Sequence, residues 1–143
     1  MANLKEKVQV ELDNIEKVLA ELPESSKLSE LSILELAGSA TLLHSFYNGM
    51  ENILKQICLS KEIPLPSGAS WHRDLVSSTQ KEGIISSSLT NNIQPYLAFR
   101  HFLNHSYALD LYADRMEPLV SNAKDVYQSF KENIENAIKS GDK

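Results

Sequence analysis

Residues 29–59 read SELSILELAGSATLLHSFYNGMENILKQICL. No proline interrupts them. Leu34, Leu42, Phe46, Met50, Ile53 and Ile57 recur at helical intervals, so the spacing predicts one long amphipathic helix from about Ser29 to Leu59, with those residues on its buried side. Ser32 and Glu35 have capping-box spacing, so the start can slip as far as Ser32. Gly38 and Gly49 each weaken a helix by about 1 kcal/mol relative to alanine. Gly38 lies among Ala37, Ser39 and Ala40, which reads as a place of close helix packing.

Working outward from this segment, the same period returns. Leu4, Val8, Leu12, Ile15, Leu19 and Leu22 form one stripe of a helix from about Asn3 to Leu22. Pro23 and the Glu-Ser-Ser run after it end that helix. On the other side, Ile63-Pro64-Leu65-Pro66-Ser67-Gly68 must be a loop, because each proline lacks a donor and restricts its predecessor. Trp71 to Lys81 fits a short third helix with Leu75 and Val76 inward. Gly83 and the serines from Ser86 to Ser88 break the chain again. A fourth helix is expected from about Leu89 to Arg115, starting or bending at Pro95. A fifth is expected from about Pro118 to Ser140, with Leu119, Ala123, Val126, Phe130, Ile134 and Ala137 as its stripe and Gly141 as its stop. No strand-like alternation of useful length occurs. The fold class read from this pattern is all-α, an up-and-down bundle of four or five helices, with residues 1–143 as a single domain.

Composition narrows the setting. A chain of 143 residues buries enough surface for a core without staples. With Cys58 the one cysteine, no intrachain disulfide can form and a structural zinc site is not expected. The first ten residues lack the apolar centre of a signal peptide, and no apolar run approaches the ~20 residues of a membrane span. These features point to a cytoplasmic protein with no membrane partner. A net charge of −5 argues against a broad, non-specific binder of nucleic acid, and DNA is not expected as a partner. It leaves room for an enzyme that handles RNA in a local basic cleft. The only arginines are Arg73, Arg100 and Arg115.

The chemistry concentrates in Phe99-Arg100-His101-Phe102-Leu103-Asn104-His105-Ser106-Tyr107-Ala108-Leu109-Asp110-Leu111-Tyr112. A solvated helix face would use lysine and glutamate. Here stand a cation with a planar fork, imidazoles that titrate near neutrality and phenol hydroxyls, which together suit phosphoryl chemistry. On an ideal helix of about 100° per residue, Arg100, Asn104, Tyr107 and Leu111 share one stripe, and His101, His105 and Tyr112 share the next. Phe99, Phe102 and Leu109 take the remaining side, which is expected to be core. Arg100 and His105 then point apart. One straight helix does not gather the site, whereas two copies meeting across a two-fold axis can.

Arg100, four residues, His105, one residue and Tyr107 resemble the Rx4HxY motif of the HEPN ribonucleases, and in particular of the HepT toxins. His44-Ser45-Phe46-Tyr47-Asn48-Gly49-Met50-Glu51-Asn52-Ile53-Leu54 resembles the second-helix signature of HepT-like proteins, and Trp71-His72-Arg73-Asp74-Leu75 resembles another stretch of that group. The likeness spans roughly residues 30 to 120. It implies a HEPN-like homodimer that cuts RNA without a metal ion or other cofactor, as the toxin of a type VII-like toxin–antitoxin pair. The implied antitoxin is a minimal nucleotidyltransferase of the MntA kind, which silences the toxin by AMPylation of Tyr107.

The residues permit such a mechanism. His105 serves as general base or acid for attack of a ribose 2′-hydroxyl on the adjacent phosphate. Arg100 holds that phosphate, and Asn104 orients the phosphate or a water. AMP on Tyr107 adds bulk and negative charge beside Arg100. His72, Arg73 and His101 are candidates for contact with RNA or the antitoxin. His44, Tyr47 and Glu51, spaced three, four and seven apart, either face the cleft or serve the helix edge and core. Trp71 reads as a packing residue, and Cys58 as a small buried apolar group. The alternative function is a helical partner of a nucleotidyltransferase with no nuclease activity of its own.

Overall fold

The computed structural model describes residues 3–141. It is an all-α bundle. The α-helices are α1 (Leu4–Glu21), α2 (Ile33–Ser60), α3 (Trp71–Lys81), α4 (Ser87–His105) and α5 (Ala113–Gly141), with short 3-10 turns at Ser25–Glu30 and Ala108–Asp110. Among the described residues no helix is long and apolar enough to cross a membrane.

The starts of α1, α2 and α4 carry side-chain caps. Asn3 caps α1 by accepting from the Glu6 N–H, and Ser86 caps α4 by accepting from the Leu89 N–H. The α2 start slips to the capping box: the Ser32 hydroxyl accepts from the Glu35 N–H at 3.1 Å, and the Glu35 carboxylate accepts from the Ser32 N–H at 3.0 Å. The Ser32 N–H first, and then the Ser32 side chain, draw the Glu35 carboxyl below its usual range.

One contiguous apolar cluster takes side chains from all five α-helices. The expected stripes of α1 and α5 enter it: Val8, Leu12, Ile15 and Leu19 from the first, and Leu119 through Ala137 from the last. On α2, Phe46, Met50, Ile53 and Ile57 are buried as expected, but Leu34 is 83% exposed. Leu36 occupies the core position on that first turn instead, so Leu34 points away from the bundle.

The two α2 glycines also exchange roles. Among the described residues a Cβ on Gly38 would meet nothing within 4 Å, so the expected close packing is not seen there. A Cβ on Gly49 would lie 2.5 Å from Ile15 Cγ1, so it is Gly49 that lets α1 approach α2. Opposite outcomes follow. Gly38→Ala is expected to stabilise by up to about 1 kcal/mol through helix propensity. Gly49→Ala gains the same propensity but overpacks a fully buried Ile15, which costs about 1–3 kcal/mol, so it is expected to be neutral or destabilising. Paired urea melts check both signs.

Two further boundaries differ from the pattern. Helix α5 begins at Ala113 rather than Pro118, and Pro118 sits inside it. The Arg115 and Met116 N–H groups donate to the Tyr112 carbonyl, and burial of Met116 draws this extra turn onto the core. Helix α4 ends at His105 rather than continuing to Arg115. Asp110 supplies the reason. Its carboxylate accepts from the Tyr107 N–H at 3.1 Å, and its own N–H donates to the Tyr107 carbonyl at 2.9 Å. This side-chain turn offers the backbone an alternative to the helix. Tyr107 therefore leaves the Arg100 stripe on which an ideal helix would put it. Leu109, expected in the core, is 73% exposed, while Phe99 and Phe102 are half-buried.

Candidate functional site

Helix α4 is held by Tyr96. Its ring meets Phe46 of α2 edge-on at 5.3 Å between centroids, and its hydroxyl donates to the Leu119 carbonyl of α5 at 2.7 Å. Burial raises this phenol well above its ordinary pKa, so it stays a donor. Residues four apart share a helix face. Arg100 follows Tyr96 by four and so turns toward α2, where its charge acts on both His44 and Tyr47.

Beneath Arg100 lies a polar cluster within the bundle. Glu51 is only 4% exposed, and its carboxylate meets His72 Nδ1 at 2.7 Å, tying α2 to α3. Among the described residues, the Tyr47 phenol is buried beside Glu51 without a hydrogen bond of good geometry, and the Arg100 Nε is buried without a partner. Burial first, then the Glu51 charge, pushes the Tyr47 phenol far above its usual range and keeps it neutral. His44 pairs with Asn48 at 3.3 Å across one helical turn. Burial chiefly, then the Arg100 charge, lowers the His44 pKa. Both effects disfavour a second cation next to Arg100.

That lowered value has a measurable sign. Below its ordinary 6.5, an unfolded chain binds a proton at His44 that the folded chain resists, so stability is lost as pH falls through this window. Urea midpoints taken from about pH 7 to about pH 5 are expected to fall, and His44→Gln is expected to flatten part of that slope. A slope unchanged by the substitution would exclude His44 as its source.

The other motif residues face outward. His101 and His105 are exposed on the last turns of α4, with ring centroids 4.5 Å apart, and Asn104 is exposed beside them. Tyr107 follows in the Asp110 turn with 83% of its surface in water. Among the described residues, no hydrogen bond joins Arg100 to His105. One chain thus presents a cation seated on a buried cluster on one side of α4, and imidazoles and an amide on the next. The arrangement can grip a phosphate with Arg100 and move a proton with His105 only where a ligand, or a second chain, bridges the two stripes.

Of the remaining candidates, Arg73 is exposed. His72 is turned inward, its side chain 19% exposed and held by Glu51. His44, Tyr47 and Glu51, whose orientation sequence alone left open, form the inner cluster. Their spacing carried the signal that they share a face, but not which neighbour that face meets.

A family model of HepT-like proteins matches residues 38–140, a span that holds the α2 cluster, the Trp71 to Leu75 stretch and the motif. No curated protein and no solved structure shows a significant match. The match covers most of the chain and takes in the helices that build the site, and on that ground the chain belongs to the HepT-like family of the HEPN superfamily, whose members are typically ribonucleases.

Proposed function

We propose that the protein is a metal-independent endoribonuclease toxin, active as a homodimer, and that a minimal nucleotidyltransferase antitoxin silences it by transferring AMP from ATP to Tyr107. The observation that carries this reading is the motif's division of labour within a HepT-like chain. Arg100 is seated on a buried polar cluster, while His105 and Tyr107 stand exposed beyond it. In the reaction, Arg100 binds the scissile phosphate and offsets the charge that builds on it. His105 takes the proton of the attacking 2′-hydroxyl or delivers one to the leaving 5′-oxygen, with Asn104 orienting the phosphate.

A second copy supplies what one chain lacks, since Arg100 of one protomer and His105 of the other can then face one phosphate. Leu109 and Tyr112 support this. They are large apolar side chains left in water on either side of the Asp110 turn, on a face a second copy would cover. Tyr107 suits modification. Its backbone is fixed by Asp110 while its phenol stands in solvent, and an AMP group there would add bulk and negative charge at the end of α4. His101 and Arg73 are exposed and available to RNA or to the antitoxin.

The test is RNA cleavage in EDTA by protein purified without its partner, with the intact mass measured in parallel. Cleavage supports the reading. A silent protein carrying AMP on Tyr107, and active once that group is removed, supports it as well. An unmodified and inactive dimer would favour the second reading, a non-catalytic binding partner of a nucleotidyltransferase. One observation favours that second reading: Arg100 and His105 do not meet within the chain.

A further inference from the structure

Glu51 does not end its helix stripe. His44, Tyr47, Glu51 and Lys55 are spaced three, four and four apart, so one face of α2 runs about 16 Å from the cluster under Arg100 to Lys55. There the Lys55 ammonium lies 4.2 Å from the centre of the Trp71 ring. Trp71 also stacks on His72, with centroids 3.6 Å apart and planes tilted 32°. His72 is in turn fixed by the buried Glu51. Beside the indole opens a cavity of about 380 Å³ whose walls include Lys55, Leu65, Pro66, Gly68, Trp71 and Leu75. Gly68 at φ 102° turns the loop around it in a conformation that side chains rarely adopt.

We infer that this cavity is a subsite for an unpaired base of single-stranded RNA, with Trp71 stacking the base and Lys55 pairing with a backbone phosphate. The inference rests on the ribonuclease reading given above. Its chemistry is that of single-strand recognition generally, an aromatic platform beside a cation, which tolerates any base because every base has a flat face. The two partners of the indole differ in kind. The imidazole is anchored by a buried carboxylate and stiffens the platform. The ammonium sits on a flexible stem beside a half-buried ring, and its contact there can exchange for a stacked base. RNA can therefore take the ring from Lys55 and leave the ammonium free for the phosphate next to that base. The chain carries a net charge of −5, so a local pair of this kind matters more than a general positive field. The subsite and Arg100 lie along one face of α2, which suits a strand gripped several nucleotides from the scissile bond.

Trp71 is the only tryptophan, so its fluorescence reports on the subsite alone. The experiment titrates a short single-stranded oligoribonucleotide into the His105→Ala dimer, which keeps the RNA intact. Saturable quenching is expected. RNA affinity, read by anisotropy of a labelled strand, is expected to fall about 5- to 100-fold in Trp71→Leu and less in Trp71→Phe, which keeps a ring. Lys55→Gln is expected to lower the salt dependence of binding by about one phosphate contact, a slope change of roughly 0.7. Binding with no quenching, while the wild type cuts RNA, would overturn the subsite and leave the ribonuclease reading standing. Failure of both binding and cleavage would remove both. Quenching by the nucleotidyltransferase partner but not by RNA would make the cavity a protein contact and overturn the inference.

Discussion

Replacing His105 by alanine is expected to slow RNA cleavage by about 10²–10⁴-fold while leaving the fold intact. The size follows from the role. In the proposed reaction a positioned imidazole supplies the proton transfer that attack by a 2′-hydroxyl requires. The fold is spared because His105 is exposed at the end of α4, where a substitution costs within about 0.5 kcal/mol. Arg100 needs more care, since its side chain is half-buried and contributes packing as well as charge. Arg100→Lys keeps the charge but loses the planar fork, and it is expected to lose cleavage more than RNA affinity. Single-turnover cleavage in EDTA, with thermal melts as a control on folding, checks each variant. Cleavage by His105→Ala at the wild-type rate would mean that the imidazole takes no part in the chemistry.

The largest effect on stability is expected at the Glu51–His72 pair. Removing His72 strands a carboxylate that is 4% exposed, and breaking a buried pair in this way costs about 3–5 kcal/mol. The lower end is expected, because the His72 ring keeps an edge in water. Glu51→Gln preserves volume and one acceptor, so it is expected to cost nearer 1 kcal/mol. The double variant Glu51→Leu with His72→Leu removes both polar groups. It is expected to be less destabilised than the sum of the single changes, because no charge is left stranded. Urea melts of the four proteins complete the cycle, and additive losses would show that the pair does not act as a unit. Cleavage measured on Glu51→Gln adds a second readout. The cluster sits under Arg100, so a misplaced guanidinium is expected to lower the rate even where the fold survives.

The sequence by itself determined the helices whose signals are local. A 3.6-residue period, a capping box and proline breaks are effects within one or two turns, and they marked α1, α2, α3 and the core stripe of α5. The candidate motif residues stood out as well, because scarce arginines and paired histidines are conspicuous in an acidic chain. The ends of α4 and α5 were not, since each depends on a competition that spacing does not weigh. The Asp110 carboxylate captures the Tyr107 N–H and ends α4, and burial of Met116 carries α5 one turn before its proline. The two glycines show the same limit. Only the approach of Ile15 tells Gly49, which needs the space, from Gly38, which does not.

The site was divided in the same way. Helical spacing put His44, Tyr47 and Glu51 on one face, but a period cannot say what lies opposite. The tertiary structure decided that, by bringing Arg100 from α4 and His72 from α3 to that face. A buried carboxylate is tolerated only where another element supplies its partner, and partners distant in sequence come together only through packing.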